Sequence, residues 1–216
     1  METINNKKMS IQEVAAVIDR SGSMRGKEED TIGGINATID ELKKNNEPNT
    51  KINFSVKFFD HEEYMLLRRT PLENIRPLKI GDLQPRGQTA LLDAMGSTLT
   101  YFIHLKMTEP DSFNSCIIYV ATDGMENASK RYTTSSIKNI IAEAKKYNID
   151  LLYLGANQDA ILEAEKFGLD AGRAINYSET RDNVEAVYRS AAHSARRQRT
   201  GSSVDFLPTE RHASQV

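Results

Sequence analysis

The stretch IQEVAAVIDRSGSM occupies residues 11–24. Its first part is apolar and rich in β-branched side chains, as in a buried strand bounded by a loop. The strand runs out in Asp19, and Ser21 and Ser23 follow at alternate positions around Gly22. In extended or looping backbone, residues i, i+2 and i+4 can turn toward one point, and glycine permits a sharp bend. Three oxygen-bearing side chains in that register suit a turn, a helix N-cap, a phosphate cradle, a nucleophile or a cation site. Asp and Ser are favoured at turns and caps for their own hydrogen-bonding reasons. The stretch alone leaves these readings open.

Downstream, strand-like and helix-like segments alternate. Ile32, Ile35, Ile39 and Leu42 recur at steps of three and four, the stripe of an amphipathic helix. KINFSVKFFD (51–60) and EYMLLRRT (63–70) read as a hairpin across a short charged turn. Leu91, Met95, Leu99 and Phe102 mark a second helix, after a proline-rich connection. CIIYVATD (116–123) is a nearly continuous apolar run, as expected of a central parallel strand covered on both faces. A helix through Ile137, Ile140, Ile141, Ala144 and Tyr147 follows, then the strand IDLLYLGAN (149–157). A short helix comes next, with Gly168 placed to cap it. AINY (174–177) is a last short strand, and Val184, Val187, Tyr188, Ala191, Ala192 and Ala195 give a final helix ending in RRQR. The basic end suits the helix dipole. This order predicts an α/β fold: a doubly wound, mostly parallel sheet with one antiparallel edge strand and helices on both faces.

Ligands of open α/β sheets bind beyond the carboxyl ends of the strands. After the first strand comes DRSGSM, and after CIIYVA comes TDGMEN with Asp123. RGQTALLDAM opens a helix between them and carries Thr89. Neighbouring strands would bring Asp19, Ser21, Ser23, Thr89 and Asp123 to one edge. All are hard oxygen donors, suited to Mg2+, Mn2+ or Ca2+ and not to zinc. Competing chemistries lack their partners. Gly22 and Gly26 are too close for a phosphate loop, and Glu28 follows Lys27 where Ser or Thr belongs. Neither Ser21 nor Ser23 has the two flanking glycines of a nucleophile elbow. His61, His104, His193 and His212 fall outside the three loops, so no base is expected beside the cluster.

Composition narrows the function classes. The 216-residue chain suits one domain, is 39% hydrophobic and 27% charged, and has a net charge of -2, which gives no support for broad nucleic-acid or membrane attraction. Cys116 is the only cysteine, so no internal disulfide forms. METINNKKMS (1–10) lacks the apolar core of a secretory signal, and no apolar run approaches the roughly 18 residues of a membrane span. The expectation is a cytoplasmic protein.

With all five positions in order, the sequence resembles the von Willebrand factor type A domain. That family's metal-ion-dependent adhesion site is D-x-S-x-S, then a Thr, then an Asp; here Asp19, Ser21, Ser23, Thr89 and Asp123 match. The wording DRSGSM, TALLDA and ATDGMENAS is most similar to stand-alone bacterial and phage members. The resemblance covers roughly residues 11–197 and implies a Rossmann-like six-stranded sheet with a divalent metal at its top. It also implies that Ser21, Ser23 and Thr89 contact the ion, that Asp19 and Asp123 act directly or through water, and that a Glu or Asp of a partner protein completes the site. The protein is then a Mg2+-dependent binding module and not an enzyme. The alternatives are a metal-dependent phosphoester hydrolase and an assembly component whose metal only pins the loops.

Met24 and Met125 follow the first and third loops and form either an adaptable rim where a partner docks or packing beneath the loops. Gln88 precedes Thr89 and either meets the partner or caps the loop. Domain boundaries follow: 1–10 an N-terminal extension, 11–199 the domain, and 200–216 an aperiodic mobile tail.

Overall fold

The computed structural model describes residues 9–156 and 159–215. Six strands form one sheet in the order β3-β2-β1-β4-β5-β6. They are β1 (Ser10–Asp19), β2 (Thr50–Phe59), β3 (Glu63–Pro71), β4 (Ser115–Thr122), β5 (Ile149–Ala156) and β6 (Ala174–Tyr177). All neighbours pair in parallel except β2 with β3, the antiparallel hairpin at one edge. The helices are α1 (Glu28–Lys44), α2 (Leu91–Thr108), α3 (Thr134–Lys145), α4 (Ala160–Lys166), α5 (Arg181–Arg199) and α6 (Pro208–Ala213). The expected doubly wound architecture is therefore present. Asn157, placed at the end of the fifth strand by the sequence, lies outside the described residues.

Strand alternation splits the core into two layers. Val14, Ala16 and Ile18 of β1 join Ile32, Ile35 and Ile39 of α1 and Val187 and Tyr188 of α5 on one face. Ala15 and Val17 join Leu91, Met95 and Leu99 of α2 and Ile137 and Ile141 of α3 on the other. Every residue of β4 is buried, which is why that strand reads as one apolar run. The chain winds outward from β1 in one direction through β2 and from β4 in the other through β5 and β6. The order reverses between β1 and β4, and their carboxyl ends open the crevice where such sheets bind ligands. The glycine cap also holds: Gly168 sits at φ +75°, and the N–H of Leu169 donates to the carbonyl of Ala164 at 3.0 Å.

The segment expected to be a mobile tail is folded onto the domain. Val204 and Phe206 are buried in the α1/α5 layer, and α6 packs against α5 and β6. The Arg197 guanidinium donates to both carboxylate oxygens of Glu210, at 2.9 and 3.0 Å. Isolated anchors hold the segment, so it lacks the periodicity that betrays a helix or strand in sequence.

His193 bridges this joint, with Nδ1 3.3 Å from Glu210 and Nε2 3.3 Å from Glu41 of α1. Its neighbours include Arg189, which also pairs with Glu41, and Arg197. Glu210 first, then Glu41, raises the imidazole above its usual 6.5, against some desolvation. Burial raises the Glu210 carboxyl, but His193 and Arg197 outweigh it and lower it from 4.5 to about 2. The histidine contribution is complete below 6.5 and lost as pH rises through the raised folded value; the glutamate contribution is complete above 4.5 and lost as pH falls toward 2. The melting temperature of wild type minus that of His193→Gln is therefore expected to peak between 4.5 and 6.5 and to shrink above that window. A difference that is flat with pH in thermal melts would remove the bridge as a contributor.

Candidate metal centre

The three loops meet at the reversal point. Asp19 ends β1 with its side chain buried. Its Oδ1 accepts the Ser21 N–H at 2.6 Å, folding the chain back, and its Oδ2 accepts the Thr122 hydroxyl at 2.6 Å. The hydroxyls of Ser21 and Ser23 are 3.0 Å apart, and Ser23 donates onward to Asp123 Oδ1 at 2.6 Å. Thr89 is buried and tied to the third loop. Its N–H donates to Asn127 Oδ1 at 2.9 Å, and its carbonyl accepts the Asn127 N–H at 3.0 Å.

Gly124 shows how tightly the donors gather. A Cβ on Gly124 would lie 3.3 Å from Thr89 Oγ1, 3.7 Å from Ser23 Oγ and 3.8 Å from Asp19 Oδ2. One methyl-sized volume on the third loop therefore touches oxygens from the first two loops, and glycine leaves it open. The loops also contact directly through backbone. Gly22 N–H donates to Gly87 O at 3.1 Å, and Gly87, at φ +68°, faces His61 so closely that a Cβ would sit 2.2 Å from its Nδ1.

The donor set suits a hard divalent cation. It is all oxygen, three hydroxyls and two carboxylates, with hydroxyl lone pairs available for coordination. Burial pushes the Asp19 carboxyl up to about 6, against hydrogen bonds from Thr122 and Ser21, and the nearby Asp123 charge adds to the rise. A buried carboxylate with no cation beside it carries that desolvation cost, which an ion would offset. Asp123 has a cation already: Lys27, at the entry to α1, donates to its Oδ2 and also to Glu179 after β6.

Supporting residues were not singled out by spacing. Asp60, at the carboxyl end of β2, is buried and pairs with Arg20 at 3.0 Å and Arg86 at 2.8 Å. Its carbonyl accepts the Ala90 N–H at 2.8 Å, so β2 holds the second loop in place. Asp93, an acid in the first turn of α2, lies 3.4 Å from the Arg131 guanidinium and also accepts the N–H groups of Lys130, Arg131 and Tyr132. Glu126 accepts Leu92 N–H at 2.9 Å and joins the third loop to α2. Asp60, His61 and Glu62 also form a cluster of possible ligand atoms. The two arginines already occupy Asp60 there. His61, outside the expected loops by sequence, reaches this edge by following β2.

The expected rim divides. Met24 is 4% exposed and packs beneath the first loop, so it does not form a rim; the 3-10 turn of residues 22–24 points its side chain inward. Met125 is 65% exposed, and Gln88 also faces solvent.

No protein-family model matches the chain, and no curated protein does either. Solved structures do. The chain is similar to the vWF domain of the type V pili tip protein Mfa5 from Porphyromonas gingivalis, at 14% identity over 87% of this chain and 96% of that one, with a TM-score of 0.64. The pilus adhesin SpaC from Lactobacillus rhamnosus GG aligns at 14% identity over 88% of this chain and 30% of its own, with a TM-score of 0.63. Proximal thread matrix protein 1 from the mussel byssus, with a zinc-occupied MIDAS motif, aligns at 16% identity over 85% of this chain and 46% of its own, with a TM-score of 0.56. The chain thus spans under half of the mussel protein and under a third of the SpaC chain. These likenesses establish the Rossmann-like fold of von Willebrand factor A domains.

Proposed function

We propose that the chain is a divalent-metal-dependent protein-binding module. Asp19, Ser21, Ser23, Thr89 and Asp123 would hold a Mg2+-type ion, with Mn2+ or Ca2+ as alternatives, and a Glu or Asp of a partner protein would complete its ligands. The observation that carries this reading is the cradle at Gly124 of the third loop, where Asp19, Ser23 and Thr89 oxygens of the other two loops face one small space, with Asp123 joined to it by the Ser23 hydroxyl at 2.6 Å. The bound ion would supply Lewis acidity toward an incoming carboxylate. The protein's own residues orient the donors: Thr122 and the Ser21 N–H fix Asp19, Ser23 and Lys27 fix Asp123, and Asn127 fixes Thr89. Neutral hydroxyls dilute the negative charge of the site, and Lys27 already offsets part of Asp123. An ion held there keeps charge to share with a partner's acid.

Adhesion and matrix proteins among the structural neighbours support a binding role over an enzymatic one. The test is a pull-down from the native lysate with and without EDTA, repeated with Asp19→Ala. A partner recovered only by the wild-type chain with metal is the expected result. Equal recovery in all arms overturns the proposal. A metal that raises the melting temperature while association ignores EDTA would leave a structural ion instead.

A further inference from the structure

Among the described residues, two of the grooves near the oxygen cluster differ in character. One lies between the β2–β3 turn and the start of α2, lined by His61, Glu62, Glu63, Asp93, Lys130 and Arg131. Its charges are largely spent on one another: Arg131 pairs with Glu63 and Asp93, and Glu62 pairs with Arg86. The other is an open groove of about 490 Å³ between the third loop and α4, lined by Met125, Asp159, Leu162, Glu163, Glu165 and Lys166. Met125 and Leu162 are 65% and 57% exposed, among the most exposed large apolar side chains described. Lys166 is paired with Glu163. Neither Asp159 nor Glu165 has a cation within ion-pair distance among the described residues, so the groove keeps an excess of negative charge.

Met125 links the groove to the cluster through the chain. Gly124 lies against Thr89, Ser23 and Asp19, and Met125 is the next residue along the chain. A segment with one side chain at the oxygens has its neighbours at Met125. An unbranched thioether there adapts to varied apolar shapes, and the carboxylates of Asp159, which caps α4 by accepting the Leu162 N–H at 3.1 Å, and of exposed Glu165 favour a cation and disfavour an acid.

We propose that this groove is the specificity subsite of the binding surface. It takes an apolar side chain flanked by a lysine or arginine, from the same partner segment whose carboxylate reaches the oxygen cluster. The inference rests on the metal-dependent reading above and adds what that reading lacks, the chemistry beside the acid. The cluster alone would accept any exposed Glu or Asp. The groove selects among them, by apolar contact at Met125 and Leu162 and by charge at Asp159 and Glu165.

The experiment pans a random peptide library on the full chain in MgCl2, then measures the enriched peptides by fluorescence polarisation. The expected peptides carry an acidic residue with an apolar and a basic residue close by in sequence. Their affinity should fall about tenfold for Leu162→Ser and for Glu165→Lys, as for loss of one good contact. Both positions are exposed on α4, and both variants should keep the wild-type thermal response to Mg2+. Peptides that bind both variants as tightly as wild type, or no enrichment at all, overturn the groove. Peptides that need the acid and MgCl2 but ignore both substitutions leave the metal reading intact without it. Peptides lost on Leu162→Ser yet unaffected by EDTA and by Asp123→Ala support the groove and sink the metal reading.

Discussion

Titrating MgCl2 into the metal-depleted chain is expected to raise its melting temperature by about 5–10 °C, and the Asp123→Ala chain is expected not to respond. The magnitude follows from linkage. An ion at about a hundred times its dissociation constant, bound only by the folded state, contributes about 2.7 kcal/mol. For a chain of this length each kcal/mol moves the midpoint by about 2–4 °C. Asp123 is the acceptor for Ser23 and for Lys27, so its removal also changes the starting melting temperature. The readout is therefore the increment caused by metal, not the baseline. Ser23→Ala separates the two effects further, because it removes a hydroxyl donor without altering the charge. An increment in Asp123→Ala equal to that of wild type would place the ion elsewhere. The cluster of Asp60, His61 and Glu62 is the alternative set of ligand atoms to test next, by His61→Ala.

What could be read in advance, and what could not, follows from how far apart the cooperating residues lie. The strands announce themselves because their burial is set by local pattern: β4 is buried throughout and reads as one apolar run. The five oxygen donors were legible because each sits at a fixed offset from a strand end or helix start, where the topology brings it to the same edge. Lys27 was invisible as a partner of Asp123, since 96 residues separate them and nothing local marks the lysine. The same holds for Asp60, whose role depends on Arg20 and Arg86 arriving from two other loops. Met24 and Met125 occupy comparable places after their loops, yet one is buried and the other exposed. The 3-10 turn that follows Ser21 settles that difference, and sequence position does not show which way a turn points.

Phe206→Ala should be the most destabilising single change in the C-terminal segment, costing about 3–5 kcal/mol and lowering the melting temperature by roughly 6–20 °C. Phe206 is 4% exposed and lies in the α1/α5 layer, with its N–H donating to the carbonyl of Gly172 at 2.8 Å and the Arg211 guanidinium over its ring. The segment does more than fill space. Ser178 N–H donates to Ser214 O at 3.1 Å, and the Ser214 hydroxyl donates to Asn176 O at 2.9 Å, so it covers the outer edge of β6. An uncovered edge strand is a template for pairing with another chain. The variant should therefore also show faster proteolysis between α5 and α6 and a tendency to self-associate on gel filtration. A loss below about 1 kcal/mol, the size of an ordinary surface change, would show that the segment is dispensable. None of the five oxygen donors lies on β6 or on this segment. The metal-dependent increment should survive in Phe206→Ala at temperatures where the chain remains folded, just as Asp123→Ala should lose the increment and keep the covered edge. The two variants thus separate what holds the domain together from what the domain holds.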